Sequence, residues 1–191
     1  MNLEPLFTSM GVVAIGEIGD KTQLLAIVLA AKFKRPVPII LGILAATVLN
    51  HTIAATLGYY IADFLGGPPF RIIVGISFLA MAAWALKPDE MDEELKTVTR
   101  GGVFVATLVT FFLVEIGDKT QIATTLLAAR YHQIALVTVG TTTGMLLADV
   151  PAVLLGEAAT RIVPLRYVRW GAAAVFAVIG AWVLLAAFGV V

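Results

Sequence analysis

The chain has 191 residues, 60% of them hydrophobic and only 14% charged, where a soluble domain carries about a quarter charged residues. With a mean hydropathy of +0.96 and no net charge, it reads as an all-α integral membrane protein with no basic surface for nucleic acid. The absence of cysteine and the presence of just two histidines remove disulfides, cysteine-ligated zinc and iron–sulfur clusters, and leave little for a soft metal.

A helix crosses the hydrocarbon core with about 20 mostly apolar residues. Six segments meet that requirement, at 4–31, 37–62, 69–87, 101–129, 134–158 and 164–188. The first has no positively charged leader in residues 1–16, and its apolar run continues through Glu17 and Asp20 to Ala31. No signal peptide is expected, and the N-terminus is retained as a membrane helix. Pro36 and Pro38 open the second span, and Gly66-Gly67-Pro68-Pro69 separates it from the third, which Pro88 closes. Residues 88–99 form a hydrophilic linker with five acids, read as a solvated loop. Pro164 opens the sixth span. Lys32, Lys34, Arg35 and Arg130 fall at span ends, as do most of Trp84, Trp170, Trp182, Tyr59, Tyr60 and Tyr167, the aromatics of a membrane interface.

The string Glu-Ile-Gly-Asp-Lys-Thr-Gln occurs at 17–23 and again 98 residues later at 115–121. The same offset maps Gly42 to Gly140, Gly58 to Gly156, Arg71 to Arg169, Phe78 to Phe176 and Trp84 to Trp182. The chain therefore divides into a three-helix repeat at 1–87, an acidic linker at 88–99 and a second three-helix repeat at 100–191. Three is an odd number, so the halves enter the membrane from opposite sides: six transmembrane helices form two inverted three-helix repeats. Nine lysines and arginines fall on the side opposite the N-terminus and two on its own side. The positive-inside rule then puts the linker in the cytoplasm and both termini outside it, across a bacterial cytoplasmic membrane.

Glu17 and Asp20 fall near the middle of the first span, and Glu115 and Asp118 near the middle of the fourth. Each mid-span charge costs roughly 2.5–3.5 kcal/mol, so with Lys21 or Lys119 the three charges cost about 8–10 kcal/mol, against roughly 4–7 returned by a dozen apolar neighbours. Both motifs must turn away from lipid. On a continuous helix Glu17 and Asp20 share a face and Lys21 lies one turn beyond Glu17, close enough to pair with it. Gly16 and Gly19 permit close backbone approach or local opening; Val114 replaces Gly16 in the second copy.

Brought together, the copies supply four carboxylates and two lysines, a formal −2 that matches one divalent cation. Thr22, Gln23, Thr120, Gln121 or freed carbonyls can add hard oxygens, which suit Mg2+, Ca2+ or Mn2+. Protons compete for the same oxygens, which is the minimum an antiporter needs. The alternative is that Glu17–Lys21 and Glu115–Lys119 are structural ion pairs, which leaves Asp20 and Asp118 without partners. Asn50, His51 and Asp149, the last being the repeat partner of His51, are intramembrane polar groups and candidates for a proton path, or for a His51–Asp149 hydrogen bond that fixes packing. Asp63 and Glu157 are placed at solvated span ends, and Thr141, Thr142 and Thr143 are given to helix packing.

Two copies of Glu-x-Gly-Asp-Lys-Thr, one per half, resemble the cation/proton antiporter family typified by human transmembrane protein 165, whose bacterial members include manganese exporters of the MneA type. The resemblance covers the whole chain, and it implies that Glu17, Asp20, Glu115 and Asp118 bind a transported Mn2+ or Ca2+. The partners expected are the bilayer, a divalent metal ion and protons, with a second copy of the chain as a candidate; no cofactor is expected. The alternatives are a Ca2+/H+ antiporter or a passive divalent-cation channel built on the two charged motifs. Enzyme activity is not expected, because no His-Glu-x-x-His or Gly-x-Ser-x-Gly accompanies the acids.

Overall fold

The computed structural model describes residues 2–87, 102–155 and 165–190, without the side chains of residues 68, 165, 166 and 168. The linker at 88–99 and Glu157 lie outside the described residues. The secondary structure described is helical: α1 Glu4–Glu17, α2 Lys21–Phe33, α3 Pro36–Leu65, α4 Gly67–Ala85, α5 Gly102–Glu115, α6 Lys119–Tyr131, α7 Ile134–Leu155 and α8 Leu165–Ala187. Among the described residues, three helices are long and apolar enough to cross a membrane, Pro36–Leu65, Ile134–Leu155 and Arg169–Ala187; Pro69–Ala85 and Gly102–Glu115 are shorter and apolar.

The 98-residue offset reappears in the helix boundaries, since α1 maps onto α5 and α2 onto α6 residue for residue. The C-caps follow it too. Lys34 and His132 both sit at φ 52°, and each donates its backbone N–H at 2.9 Å, to Ala30 and Ala128 respectively. Packing crosses the halves: α1 lies along α7 and α5 along α3, α6 meets α3 and α2 meets α7, and α4 pairs with α8. Phe78 and Phe176, repeat partners, stack on each other at 6.4 Å between ring centroids.

The first and fourth expected spans are not continuous helices. Each breaks at its motif, between Glu17 and Lys21 and between Glu115 and Lys119. Gly19 and Gly117 take φ +80° and +76° at the breaks, a conformation that costs a side-chain-bearing residue about 1–2 kcal/mol. Local opening, one of the two roles expected of Gly19, is thus what that glycine does.

The outer surface is apolar, and polar side chains are buried among the apolar residues of the interior. On α3, Leu41, Leu49, Ile53 and Leu57 are exposed, while Thr47, Asn50 and His51 are buried. Glycines bring the crossed helices close. A Cβ on Gly42 would stand 2.7 Å from Thr107 Cβ and 2.9 Å from the Phe104 carbonyl. One on Gly140 would meet the Leu6 carbonyl and lie 3.0 Å from Ser9 Cβ, the equivalent contacts one repeat away. Gly140→Ala is therefore expected to destabilise by the upper part of the about 1–3 kcal/mol typical of overpacking. Gly11→Ala, with nothing within 4 Å of the new Cβ, should not destabilise. Thermal unfolding of both variants in detergent checks this.

Candidate functional site

Each break leaves the C-terminus of one half-helix facing the N-terminus of the next. Asp20 N–H donates to the Glu17 carbonyl at 3.0 Å, and Asp118 N–H to that of Glu115 at 3.1 Å. The glutamine that ends each motif braces the turn. Gln23 Oε1 accepts from Gly19 N–H at 2.8 Å, and Gln121 Oε1 from Gly117 N–H at 2.7 Å. The amide nitrogens reach the opposite half: Gln23 Nε2 donates to the Ala148 carbonyl at 3.1 Å, and Gln121 Nε2 to Asn50 Oδ1 at 3.2 Å. Gln23 and Gln121 thus fasten α2 to α7 and α6 to α3 at the level of the breaks.

The two motifs meet through crossed ion pairs. Lys21 Nζ lies 3.3 Å from Asp118 Oδ1, and Lys119 Nζ lies 3.7 Å from Asp20 Oδ1. This corrects the pairing expected along a single helix. Because the chain breaks after Glu17, Lys21 no longer stands one turn above it, and each lysine instead pairs with the aspartate of the other copy. Lys119 also donates to the Lys87 carbonyl at 3.5 Å and sits 5.9 Å from the centre of the Trp84 ring.

The four motif acids are all buried, as are Thr22, Gln23, Thr120, Asn50, His51 and Asp149. The two glutamates differ. Glu115 accepts from Thr47 Oγ1 at 2.9 Å and from Asn50 Nδ2 at 2.8 Å, whereas neither carboxylate oxygen of Glu17 has a hydrogen-bond donor. The Thr22 and Thr120 hydroxyls also lack partners. Among the described residues no three acidic or histidine side chains converge closely enough to enclose a metal ion; ammonium groups pair with the aspartates instead.

Of the three polar groups outside the motifs, Asn50 joins Glu115, while His51 and Asp149 are buried in α3 and α7. The alternative reading, a His51–Asp149 or local backbone hydrogen bond, is not met, since the ring nitrogens of His51 and the carboxylate oxygens of Asp149 are all without hydrogen-bond partners. Thr47 was not singled out by sequence, although it lies three and four residues before Asn50 and His51, on the same helix face. A crevice bordered by Gly19, Asp20, Lys119, Ala85 and Arg169 reaches the motifs from between the end of α4 and the start of α8.

The family model described as "Divalent cation/proton antiporter GDT1" matches residues 5–93 and again residues 103–190. The chain is 48% identical over 172 residues to a Vibrio cholerae serotype O1 protein named "Putative manganese exporter", covering 90% of this chain and 86% of that one. No solved structure matches the chain.

Proposed function

The chain belongs to the divalent cation/proton antiporter family, and from that membership we propose that it exports Mn2+ from the cytoplasm in exchange for protons, using one site built from both motifs. The observation that carries the reading is the pair of broken helices locked together by reciprocal lysine–aspartate pairs around the buried Glu17. Half-helix ends of this kind serve secondary transporters as ion sites, because unwound carbonyls and helix C-termini attract cations. Glu17, Asp20, Glu115 and Asp118 are the ligands in this reading, with Thr22 and Thr120 offering hydroxyls and Gln23 and Gln121 holding the breaks in place. Asn50, His51 and Asp149 lie along the proton's approach.

The topology is six spans in two inverted repeats, the broken pairs α1–α2 and α5–α6 each counting as one span. Its support is the coincidence of boundaries, caps and glycine contacts at one offset, together with the double match of the family model. Both termini then lie outside the cytoplasm, and α1 and α6 form the outer half of the site. The α4–α8 pair packs on α6 and α1, and the crevice beside Asp20 opens at the opposite, cytoplasmic ends of α4 and α8. Rocking of one half against the other would expose the site to the two sides in turn.

Release of metal is tied to protonation of the acids that held it, because ligand oxygens cannot bind both, so metal affinity falls as pH falls. In proteoliposomes loaded with a Mn2+ indicator, an imposed pH gradient should drive uptake, and collapsing the gradient should return it to the leak level. Conduction of Mn2+ down its own gradient with no counter-movement of protons would instead make the protein a channel. The same assay with Ca2+ and Mg2+ at two pH values ranks the ions.

A further inference from the structure

The repeat is faithful in its backbone and unfaithful at one patch of side chains. The glutamine braces and the glycine contacts recur in both halves. Thr47, Asn50 and His51 of α3, however, correspond at the 98-residue offset to Met145, Ala148 and Asp149 of α7. On α3 that patch supplies two donors to Glu115. On α7 it supplies no side-chain donor to Glu17 and adds a third acid.

Resting on the reading of the motifs as the transport site, we propose that Asp149 is a ligand of the transported cation, in a site displaced from the pseudo-symmetry axis toward Glu17. Glu17 and Asp149 are both 0% exposed, and none of their four carboxylate oxygens has a donor. Asp149 follows Ala148, the repeat counterpart of Asn50, whose carbonyl accepts from Gln23 of the first motif at 3.1 Å. Acids buried together with no donor are among the costliest arrangements in a protein interior, and a bound cation relieves that cost. A hard divalent ion binds through such oxygens. Glu115 already accepts one hydrogen bond at each oxygen, from Thr47 and Asn50, and is the weaker ligand of the two glutamates. The halves of the transporter thereby have different jobs, with α1 and α7 holding the ion while α3 and α5 set its field.

The test is Mn2+ binding to the purified full-length protein in detergent, read from the electron paramagnetic resonance signal of free Mn2+. Glu17→Gln and Asp149→Asn should each weaken binding by about 100-fold or more, and Glu115→Gln by about tenfold or less. Asp149→Glu should recover part of the loss, and the exposed Asp63 changed to Asn should bind as the parent does. Ala148→Asn, which places at Glu17 the donor that Asn50 gives Glu115, should weaken binding without removing an acid, and it decides the matter if Asp149→Asn does not fold. Parent-like affinity in Asp149→Asn, or in Ala148→Asn where the former is unfolded, overturns the proposal while loss in Glu17→Gln leaves the motif site standing. Parent-like affinity in Glu17→Gln as well would overturn both.

Discussion

Alanine at Asp20 or at Asp118 is expected to abolish manganese tolerance when the variant is expressed in a manganese-sensitive bacterial host. Two losses coincide in either change. A carboxylate is removed from the proposed site, and a lysine that reaches across the repeat loses its counter-charge, Lys119 in one case and Lys21 in the other. The lysine's positive charge then stays at the place proposed for the cation without that aspartate to offset it. The loss of transport should therefore exceed the about 10–100-fold that removal of an outer partner costs at a metal site. Asparagine at the same positions keeps the shape and removes the charge, so it should fail as alanine does, which separates charge from packing. Growth at graded Mn2+, with the amount of membrane-inserted protein checked in parallel, gives the answer. Full protection by both alanine variants would show that the motif aspartates are not the site.

The membrane character of the chain and its internal duplication were legible because composition and a fixed offset survive any detail of conformation. Gly42 and Gly140 illustrate this: the offset matched them as letters, and the fold gives both the same task at a crossing of two helices. The helix breaks were less legible. An unbroken apolar run through Glu17 and Asp20 reads as one span, and glycine permits the positive φ that opens it without requiring it. Once the chain opens, side-chain neighbours no longer follow helical spacing, which is why Lys21 pairs with Asp118 rather than with Glu17. Asn50, His51 and Asp149 stood out as polar residues in apolar helices, yet the partners of Asn50, Glu115, Gln121 and the Phe112 carbonyl, come from helices remote in sequence. Thr47 was hidden for a different reason: a threonine in a membrane helix commonly bonds its own backbone, as Thr52 does to Val48 at 2.6 Å, so its type alone does not mark it as a donor to an acid.

Lys119→Met should lower the thermal stability of the metal-free protein, and Mn2+ should restore more of it than it adds to the parent. Lys119 and Asp20 are both buried, and removing one partner of a buried pair costs about 3–5 kcal/mol because the other charge loses that partner's compensation. For a chain of this size that is a fall in midpoint on the order of 10 °C. In the parent, an incoming metal must displace the ammonium from Asp20 before it can use that oxygen, so part of its binding energy is spent on breaking the pair. The variant has no ammonium there, and the metal supplies the missing positive charge directly, stabilising the folded state in proportion to the logarithm of its concentration over the dissociation constant. Lys21, whose side chain is 27% exposed against 7% for Lys119, should show the same pattern with a smaller fall, because solvent already screens part of its charge. Midpoints measured with chelator and with graded Mn2+ distinguish this from a packing defect, which Mn2+ would not selectively repair. Equal metal increments in the parent and in Lys119→Met would mean that the lysine does not compete with the cation, and that the crossed pairs only join the two halves.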